Sequence, residues 1–254
     1  MLPIERQKKF LDLLSKKDMI TIPTFAEKFN ISIETVRRDL SILEKQNKIE
    51  KVYGGAKLKK NSFNEPAMKN RMNSNIEQKN AIGKTCSEFI KNGECIFIDS
   101  GSTTYHIASY LSDKKNLTII TNSIPIATKL LNSDFEIILI GGRVRHSEHS
   151  IVSYDYLFNF SQLNISKSFI CAGGITCKNG VTDFNMQEAV TRKTIIERSK
   201  EIFVAADSSK FGKDVMVNIT PINKIDYIVT DSLLNKKIAS ELKKTNTNLI
   251  ITKI

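Results

Sequence analysis

The chain has 254 residues and a formal net charge of +11. Residues 1–60 carry +6 of this charge and the remaining residues carry +5, so the first quarter of the chain is its most basic part. No stretch is long and apolar enough to span a bilayer, the N-terminus lacks the apolar core of a signal peptide, and the four cysteines form no C-x-x-C pair. We therefore expect a cytoplasmic protein with no membrane segment, disulfide or metal site, whose basic end binds a polyanion.

The first sixty residues predict three helices and a β hairpin. Apolar residues recur at helical spacing over 5–17 and 24–29, and Asn30 breaks the second helix. Ser32 is suited to cap a third helix. The apolar positions of that helix share one face: Ile33, Val36, Leu40 and Leu43. Charged and apolar residues then alternate around Gly54 and Gly55, as in two short strands joined by a tight turn. This order of elements is that of a winged helix-turn-helix domain.

Two adjacent arginines lie on the polar side of the third helix. Arg37 and Arg38 have the chemistry to bind guanine edges or phosphates in the major groove of DNA, although two arginines alone are typical of a solvated helix face. The helices and the basic hairpin around them favour DNA binding. Asp39 cannot approach phosphate favourably, so we expect it to form an ion pair with a neighbouring basic side chain. The candidate DNA-binding residues are Ser32, Thr35, Arg37, Arg38, Ser41, Lys51 and Tyr53.

The rest of the chain predicts a linker and an α/β domain. Residues 57–79 are rich in Asn, Lys and Ser and show little apolar periodicity. From about residue 76, apolar strand-like runs alternate with helices, which indicates a mainly parallel sheet covered on both faces. We therefore divide the chain into a winged helix-turn-helix domain over 1–58, a linker over 59–75 and an α/β domain over 76–254.

In sheets of this kind, ligands bind beyond the carboxyl ends of the strands. Residues 99–104 follow an apolar strand, and their hydroxyls, glycine and free helix N–H groups are suited to hold a phosphate. Ser and Thr at a helix start are also ordinary caps, and the spacing is not that of a P-loop. Asp99 is placed to accept hydrogen bonds from sugar hydroxyls. From this region the candidates are Asp99, Gly101, Ser102, Thr103, Thr104 and Asn122.

Glycines and charged residues near other strand ends add to this candidate site. Five of the eleven glycines follow strands directly: Gly101, Gly141, Gly142, Gly173 and Gly174. This favours the close approach of a ligand or another backbone, although tight turns explain it as well. A cation is expected to complete a phosphate site; Lys210 is the first choice and Arg143 the second, and ordinary surface charge is the alternative for each. Further candidates are Gly141, Glu188 and Lys193.

Several motifs together resemble the DeoR family of bacterial transcriptional repressors over nearly the whole chain. They are IERQ at 4–7, TVRRDL at 35–40, VYGGA at 52–56, FIDSGSTT at 97–104, TNS at 121–123, GG at 141–142 and DSSKF at 207–211. The resemblance implies a winged helix-turn-helix domain followed by a ribose-5-phosphate-isomerase-like sensor domain, which binds a phosphorylated sugar and needs no cofactor. It also implies a dimer or tetramer that binds double-stranded operator DNA near sugar-catabolism genes and commonly releases it when the effector binds.

Two other functions compete with this one. A sugar-phosphate isomerase fused to a DNA-binding head would need a carboxylate base beside the substrate carbonyl, and the turn that follows the strand at 168–172 carries no carboxylate. An activator or a purely architectural DNA-binding protein would need no phosphate-binding turn. We therefore expect a repressor of a sugar or sugar-phosphate catabolic operon, not an enzyme.

Overall fold

The computed structural model describes residues 1–14, 17, 19–46, 48–58, 65–153 and 162–254. The chain forms two compact units, Met1–Asn64 and Glu65–Ile254. The second unit begins earlier than the predicted start at 76, because Glu65 and Arg71 form ion pairs with Arg145 and Glu148 of the same unit. Of the predicted linker, residues 59–64 lie outside the described residues, and the rest belongs to the second unit.

The first unit contains three helices and three short strands. In chain order they are α1 (Pro3–Leu14), β1 (Ile20–Thr21), α2 (Ile22–Phe29), α3 (Ile33–Lys45), β2 (Ile49–Val52) and β3 (Gly55–Leu58). The strands pair antiparallel in the order β1-β3-β2, and β2 and β3 form the predicted hairpin. The helices enclose one apolar core that includes Phe10, Phe25 and Leu40. The predicted winged helix-turn-helix architecture is confirmed.

Local interactions explain where α2 and α3 begin and end. Pro23 is accommodated in the first turn of α2, where its missing N–H is not needed, so the helix starts two residues earlier than the predicted residue 24. Asn30 adopts φ 48° and ends α2, as predicted. Ser32 Oγ accepts a hydrogen bond from Thr35 N and caps α3. Ile33 was predicted on the buried face but is 41% exposed, because it is the first residue of α3 and lies beside the turn.

The second unit is an α/β domain. Its strands are β4 (Cys95–Ile98), β5 (Thr118–Thr121), β6 (Glu136–Leu139), β7 (Arg143–Arg145), β8 (Ser150–Val152), β9 (Ile165–Ile170), β10 (Gly174–Thr176), β11 (Gly180–Asp183), β12 (Ser199–Ala205), β13 (Val217–Thr220), β14 (Tyr227–Asp231) and β15 (Asn248–Thr252). Its α-helices are α4 (Met68–Met72), α5 (Ile76–Glu88), α6 (Ile124–Leu130), α7 (Met186–Ile196) and α8 (Lys236–Leu242). Short 3₁₀ helices cover Thr104–Tyr110, Ser208–Lys210 and Ile222–Lys224.

Seven strands form one fully parallel sheet in the order β15-β14-β12-β9-β4-β5-β6. Successive residues of a strand point to opposite faces, so Ile96 and Ile98 join one apolar cluster while Phe97 joins the other. The predicted parallel sheet with two covered faces is therefore confirmed. Because the strands are parallel, the carboxyl ends of the neighbours β4, β5 and β9 lie at the same edge, where the candidate ligand residues follow them.

Other features of this unit were not predicted. A three-stranded antiparallel sheet, β10-β11-β13, and a two-stranded hairpin, β7-β8, lie outside the main sheet. Strands of three or four residues are too short to show a clear alternation in the sequence. The helical segment that follows β4, Thr104–Tyr110, is a 3₁₀ helix and not an α-helix. Among the described residues, no helix has the length and apolarity needed to cross a membrane.

Candidate DNA-binding surface and ligand site

The exposed face of α3 carries the two predicted arginines. Arg37 and Arg38 are both exposed, and neither guanidinium forms an ion pair with a described residue. Val36 and Leu40 are fully buried on the other side of the helix, so α3 cannot turn this face inward without losing its core contacts. Both arginines are therefore available to a partner outside the unit.

The hairpin is fixed to α3 by polar contacts. Lys51 Nζ donates to Ser41 Oγ at 2.7 Å and pairs with Glu44 at 3.1 Å. Ser41 Oγ in turn donates to Arg37 O at 2.8 Å. Tyr53, at the tip of the hairpin, is fully exposed. Of these predicted residues, Tyr53 is free to reach outward, whereas Ser41 and Lys51 help to orient the hairpin.

A buried ion pair joins α1 to α3. Arg6 Nε donates to Asp39 Oδ2 at 2.5 Å, and Gln7 Nε2 donates to Asp39 Oδ1 at 3.1 Å. Asp39 is 1% exposed and Arg6 is 7% exposed. The predicted ion pair of Asp39 is confirmed, and its partner comes from another helix, 33 positions earlier in the chain. The pair therefore fixes how α3 is held against α1.

In the second unit, Asp99 is fully buried at the end of β4. Its Oδ2 accepts hydrogen bonds from Cys171 N at 3.0 Å and from Arg192 Nε at 2.5 Å. Its Oδ1 has no hydrogen-bond partner among the described residues. One oxygen of Asp99 is thus used to hold the protein together, and the other is left for a further donor.

Arg192 organises this part of the structure and was not among the predicted residues. Arg192 Nη1 lies 2.7 Å from Asp183 Oδ2, and Nη2 lies 3.7 Å from Glu188 Oε2. Burial by itself would lower the pKa of Arg192, but Asp183 and Asp99 raise it well above the usual value. A charged guanidinium is therefore surrounded by three buried carboxyl groups, those of Asp99, Asp183 and Glu188.

The register of α7 decides which basic residue enters this cluster. Glu188 and Arg192 are four residues apart and share the inner face of the helix, whereas the predicted Lys193 is exposed. Consecutive helical residues are about 100° apart around the axis, so Lys193 and Arg192 cannot face the same way. Lys193 therefore does not join this cluster, and its role in ligand binding stays a prediction. The i,i+4 spacing of Glu188 and Arg192 was the signal for Arg192.

The turn after β4 keeps part of its hydrogen-bonding capacity free. Ser100 N donates to Asn122 Oδ1 at 2.8 Å, and Thr104 Oγ1 donates to Asp99 O at 2.6 Å, so these groups serve the turn itself. The amide N–H groups of Gly101, Ser102 and Thr103 have no acceptor in the part of the chain that the structure describes. Ser102 and Thr103 are buried. The predicted phosphate-binding turn therefore retains three consecutive donors.

The glycines after the strands are explained mainly by packing. A Cβ added at Gly101 would lie 2.6 Å from Cys171 Cβ, and one added at Gly173 would lie 2.9 Å from a Val215 methyl carbon. Gly174 is crowded by the backbone of Lys213. Only Gly141, of the glycines named in this paragraph, has open space at its Cβ position. Close packing against neighbouring protein atoms therefore explains Gly101, Gly173 and Gly174 without a bound ligand.

The cations near the site differ in part from those predicted. Arg143 is exposed and donates to Gln187 Oε1 at 2.7 Å, whereas Arg145, which was not predicted, lies 3.4 Å from Glu188 Oε1. The hairpin β7-β8 thus brings Arg145, and not Arg143, next to the buried carboxyl group of Glu188, and the role of Arg143 in ligand binding stays a prediction. Lys210, the first choice for the cation of the site, is partly buried. Burial lowers the pKa of Lys210, and the negative charge of Asp207 opposes this effect.

Lys79 is a further buried cation close to this region. It is 2% exposed, and its Nζ donates to Ser74 O at 2.6 Å and to Arg71 O. Burial lowers the pKa of Lys79 to about 8; the charge of Asp207 opposes the shift and that of Lys210 adds to it. Lys79, near the start of α5, and Lys210, which follows β12, therefore both interact electrostatically with Asp207.

Nine buried side-chain atoms lack a hydrogen-bond partner among the described residues, and four of them belong to the turn after β4 and to the candidate ligand residues. These four are Asp99 Oδ1, Ser100 Oγ, Asn122 Nδ2 and Glu188 Oε2. Leaving one such group unsatisfied costs about 1–3 kcal/mol, so a set of four near one sheet edge requires an explanation. The set combines hydrogen-bond acceptors, a donor and a hydroxyl, and it can therefore bind a small molecule that both donates and accepts hydrogen bonds.

Comparison with known protein families gives both units an identity. Residues 6–62 match the DeoR-like helix-turn-helix domain, and residues 74–232 match the DeoR C terminal sensor domain. This chain belongs to the DeoR family of transcriptional regulators. The second unit is accordingly called the sensor unit below, and the first unit the DNA-binding unit.

Curated relatives of this DeoR-family regulator align over most of their length. The HTH-type transcriptional regulator GolR of Listeria innocua is 33% identical over 93% of both chains. The glycerol-3-phosphate regulon repressor of Escherichia coli is 33% identical over 90% of both. IolR of Bacillus subtilis is 35% identical over 85% of this chain and 86% of the relative. The chain is therefore a DNA-binding transcriptional regulator, and the isomerase alternative is set aside.

Solved structures show a more distant likeness. Ribose 5-phosphate isomerase A from Methanocaldococcus jannaschii has a TM-score of 0.40 and 15% identity over 54% of this chain and 55% of its own. The translation initiation factor eIF-2B from Pyrococcus horikoshii has a TM-score of 0.40 and 17% identity over 78% of this chain and 68% of its own. A likeness at this level assigns no activity to the DeoR-family chain.

Proposed function

We propose that this DeoR-family regulator represses a sugar or sugar-phosphate catabolic operon and that a phosphorylated sugar, bound by the sensor unit, relieves the repression. The observation that carries the proposal is a set of buried polar atoms beside three backbone amide donors at residues 101–103, none of which has a hydrogen-bond partner among the described residues. A relative named as a glycerol-3-phosphate regulon repressor supports a phosphorylated polyol or sugar as the effector class. Repression requires access to operator DNA, which places the protein in the cytoplasm.

The chemistry of the site fits the two ends of such an effector. Asp99 Oδ1 and Glu188 Oε2 can accept hydrogen bonds from sugar hydroxyls, and Asn122 Nδ2 can donate one to a sugar oxygen. A phosphate is suited to the backbone amides of residues 101–103, with Lys210 supplying a positive charge. The side chains of Ser102 and Thr103 are candidates for further contacts, whereas Thr104 Oγ1 is already used within the turn.

DNA binding is assigned to the exposed face of α3 and to the hairpin. We expect Arg37→Ala and Arg38→Ala each to weaken binding to an operator, by roughly 1–3 kcal/mol where the arginine contacts a base edge. An arginine that contacts only phosphate is expected to weaken binding to all sequences and to reduce the salt dependence. Affinities are measured by fluorescence anisotropy on duplexes that the wild-type protein selects from a random pool.

The matched control for these two variants is Lys28→Ala. Lys28 is an exposed basic residue in the last turn of α2, so its removal changes the net charge of the unit by the same amount. We expect it to have a smaller effect than either arginine variant. Unchanged DNA affinity in both arginine variants would remove α3 from the DNA interface.

Effector binding is tested through Lys210. Thermal unfolding of the full chain is followed with glycerol 3-phosphate, ribose 5-phosphate and fructose 6-phosphate, with the corresponding unphosphorylated compounds and inorganic phosphate as comparisons. A ligand that binds only the native state raises the melting temperature by mass action. We expect Lys210→Ala to reduce or abolish the shift given by the best ligand and to leave DNA affinity in the absence of ligand near normal.

Lys200→Ala is the control for Lys210→Ala, because Lys200 is exposed at the start of β12, the opposite end of that strand from the site. It should keep the full thermal shift. A Lys210→Ala protein that responds at the original ligand concentration would exclude Lys210 from the site. If no sugar phosphate stabilises the wild-type chain while it binds DNA, the purely architectural alternative is favoured instead.

The proposed regulation is a linkage between ligand and DNA. The effector favours one state of the regulator and DNA favours another, and each ligand therefore weakens the other by the same factor. Changing the operator from mostly occupied to mostly free requires the effector to discriminate between the two states by several kcal/mol. We propose a dimer or tetramer as the functional form, because a two-fold assembly presents two α3 helices to two operator half-sites.

A further inference from the structure

A line of partly buried ion pairs runs from the candidate ligand site to the first residue of the sensor unit. Arg145 Nη1 lies 3.4 Å from Glu188 Oε1, and Arg145 Nη2 donates to Glu65 Oε2. Arg71 Nη2 lies 3.6 Å from Glu65 Oε1 and also pairs with Glu148. The side chains of all five residues are between 3% and 20% exposed. Charges at this depth are screened only weakly by salt, so each pair responds to changes in its neighbour.

Glu188 has the most buried side chain of these five residues. Its Oε1 accepts a hydrogen bond from Ser150 Oγ at 2.6 Å, but the two guanidinium groups that face it are distant, Arg145 at 3.4 Å and Arg192 at 3.7 Å. Its Oε2 has no hydrogen-bond partner among the described residues. A ligand hydroxyl that donates to Oε2 can rotate this carboxyl group and so move Oε1 relative to Arg145.

Arg145 is suited to transmit a change in the orientation of the Glu188 carboxyl group to Glu65. Its planar guanidinium presents its nitrogen donors in a rigid fork, with Glu188 at one terminal nitrogen and Glu65 at the other. Moving one end of a rigid fork necessarily moves the other. Glu65 lies a few residues before α4, and the chain N-terminal to it leads to the DNA-binding unit.

We propose that Arg145 is a coupling residue that transmits the ligand-dependent orientation of Glu188 to Glu65 and so to the segment 65–75, where the sensor unit begins. In the structure, Arg145 is shared between the carboxyl groups of Glu188 and Glu65. When a ligand hydroxyl binds Glu188 Oε2, Arg145 loses its contact with Glu188 and pairs with Glu65 alone. This inference rests on the proposed function for the nature of the ligand, but the coupling itself can be tested without one.

The ligand-free test uses Glu188→Gln in the full chain. The substitution removes the charge that attracts Arg145, so we expect the amide hydrogen exchange of residues 65–75 to change by about fivefold or more. The amides of Asn70 and Arg71, which donate to Ala67 O, are suitable reporters. In the Arg145→Met background, Glu188→Gln should no longer change exchange in this segment. Exchange is measured by mass spectrometry on peptides that cover it.

Two further variants make this test decisive. Glu94→Gln breaks the Lys167–Glu94 ion pair, which is comparably buried but lies at the amino ends of β4 and β9, and it should leave residues 65–75 unaffected. Ser150→Ala is the substitute variant if Glu188→Gln fails to fold. It removes the hydrogen bond to Glu188 Oε1, and we expect it to change the amide hydrogen exchange of residues 65–75 as well. No change in 65–75 with a folded Glu188 or Ser150 variant, or an equal change in the Arg145→Met background, would overturn the coupling role.

A second measurement connects this coupling to DNA. For a sugar phosphate that stabilises the wild-type chain, we expect Arg145→Met to keep most of the thermal shift but to lose most of the ligand-induced fall in DNA affinity. A full fall in affinity in Arg145→Met would contradict the proposal. If no sugar phosphate stabilises the wild type, the proposed function fails, while the hydrogen-exchange experiment still decides whether Glu188 and Glu65 are coupled.

Discussion

Replacing Arg192 with Met is expected to destabilise the sensor unit by roughly 3–5 kcal/mol, because it leaves buried carboxyl groups without their shared cation. Asp99 and Asp183 both lose an ion pair, at 2.5 Å and 2.7 Å, and Glu188 loses the nearest guanidinium to its Oε2. Methionine fills a similar volume, so the loss reports the missing charge more than a cavity. Urea unfolding followed by far-UV circular dichroism measures the change.

The pH dependence of this variant gives an independent check. Burial already raises the pKa of Glu188 in the wild type, and removing Arg192 removes the positive charge that opposes this shift. In the variant the folded state therefore binds more protons than the unfolded state near neutral pH, so its stability falls as pH rises. We expect the difference from the wild type to be smaller at pH 5 than at pH 8.

Lys193→Met is the matched control for Arg192→Met. It removes one positive charge from the adjacent position of α7, where the side chain is exposed, and we expect a change within about 0.5 kcal/mol. Equal losses in the two variants would contradict the placement of Arg192 inside the carboxyl cluster.

Asp39→Ala is expected to destabilise the DNA-binding unit by about 3–5 kcal/mol and to abolish operator binding under conditions where that unit is marginally stable. The substitution leaves the buried guanidinium of Arg6 unpaired and removes the acceptor of Gln7 Nε2. Hydrogen exchange in α1 and α3 measures the stability of this unit separately from that of the sensor unit.

The double variant Arg6→Met, Asp39→Leu separates the ion pair from simple packing. Replacing both members of a buried pair with apolar residues of similar size is often neutral, so most of the lost stability should return. Glu34→Ala, an exposed acidic residue in the first turn of α3, is the control and should cost less than about 1 kcal/mol. A small effect of Asp39→Ala alone would show that the pair does not fix α3 against α1.

Local sequence patterns determine the position of several helices and strands of this protein. The position of α3 follows from the Ser32 cap and the spacing of Val36, Leu40 and Leu43, all within one short segment. The parallel sheet follows from apolar runs such as Cys95–Ile98, which alternate with helices along the chain. These features depend on residues a few positions apart, so the sequence shows them directly.

Part of the candidate site could also be predicted from the sequence, since residues 99–104 follow an apolar strand of the predicted parallel sheet. The turn at residues 101–103 and the buried acceptor Asp99 Oδ1 agree with that expectation. Their roles in ligand binding stay a prediction until the sugar phosphate experiments are done.

By itself, the sequence determined the two-domain organisation, the helix that carries Arg37 and Arg38, and the sheet edge at which polar residues gather. Only the tertiary structure decided which charges meet there. Both sides of α7 contain buried residues, so only the i,i+4 spacing from Glu188 favoured Arg192 over Lys193, and Arg6 meets Asp39 across 33 positions. Periodicity records which face of an element is buried, but an ion pair depends on where two separate elements pack, and that is fixed only when the whole core forms.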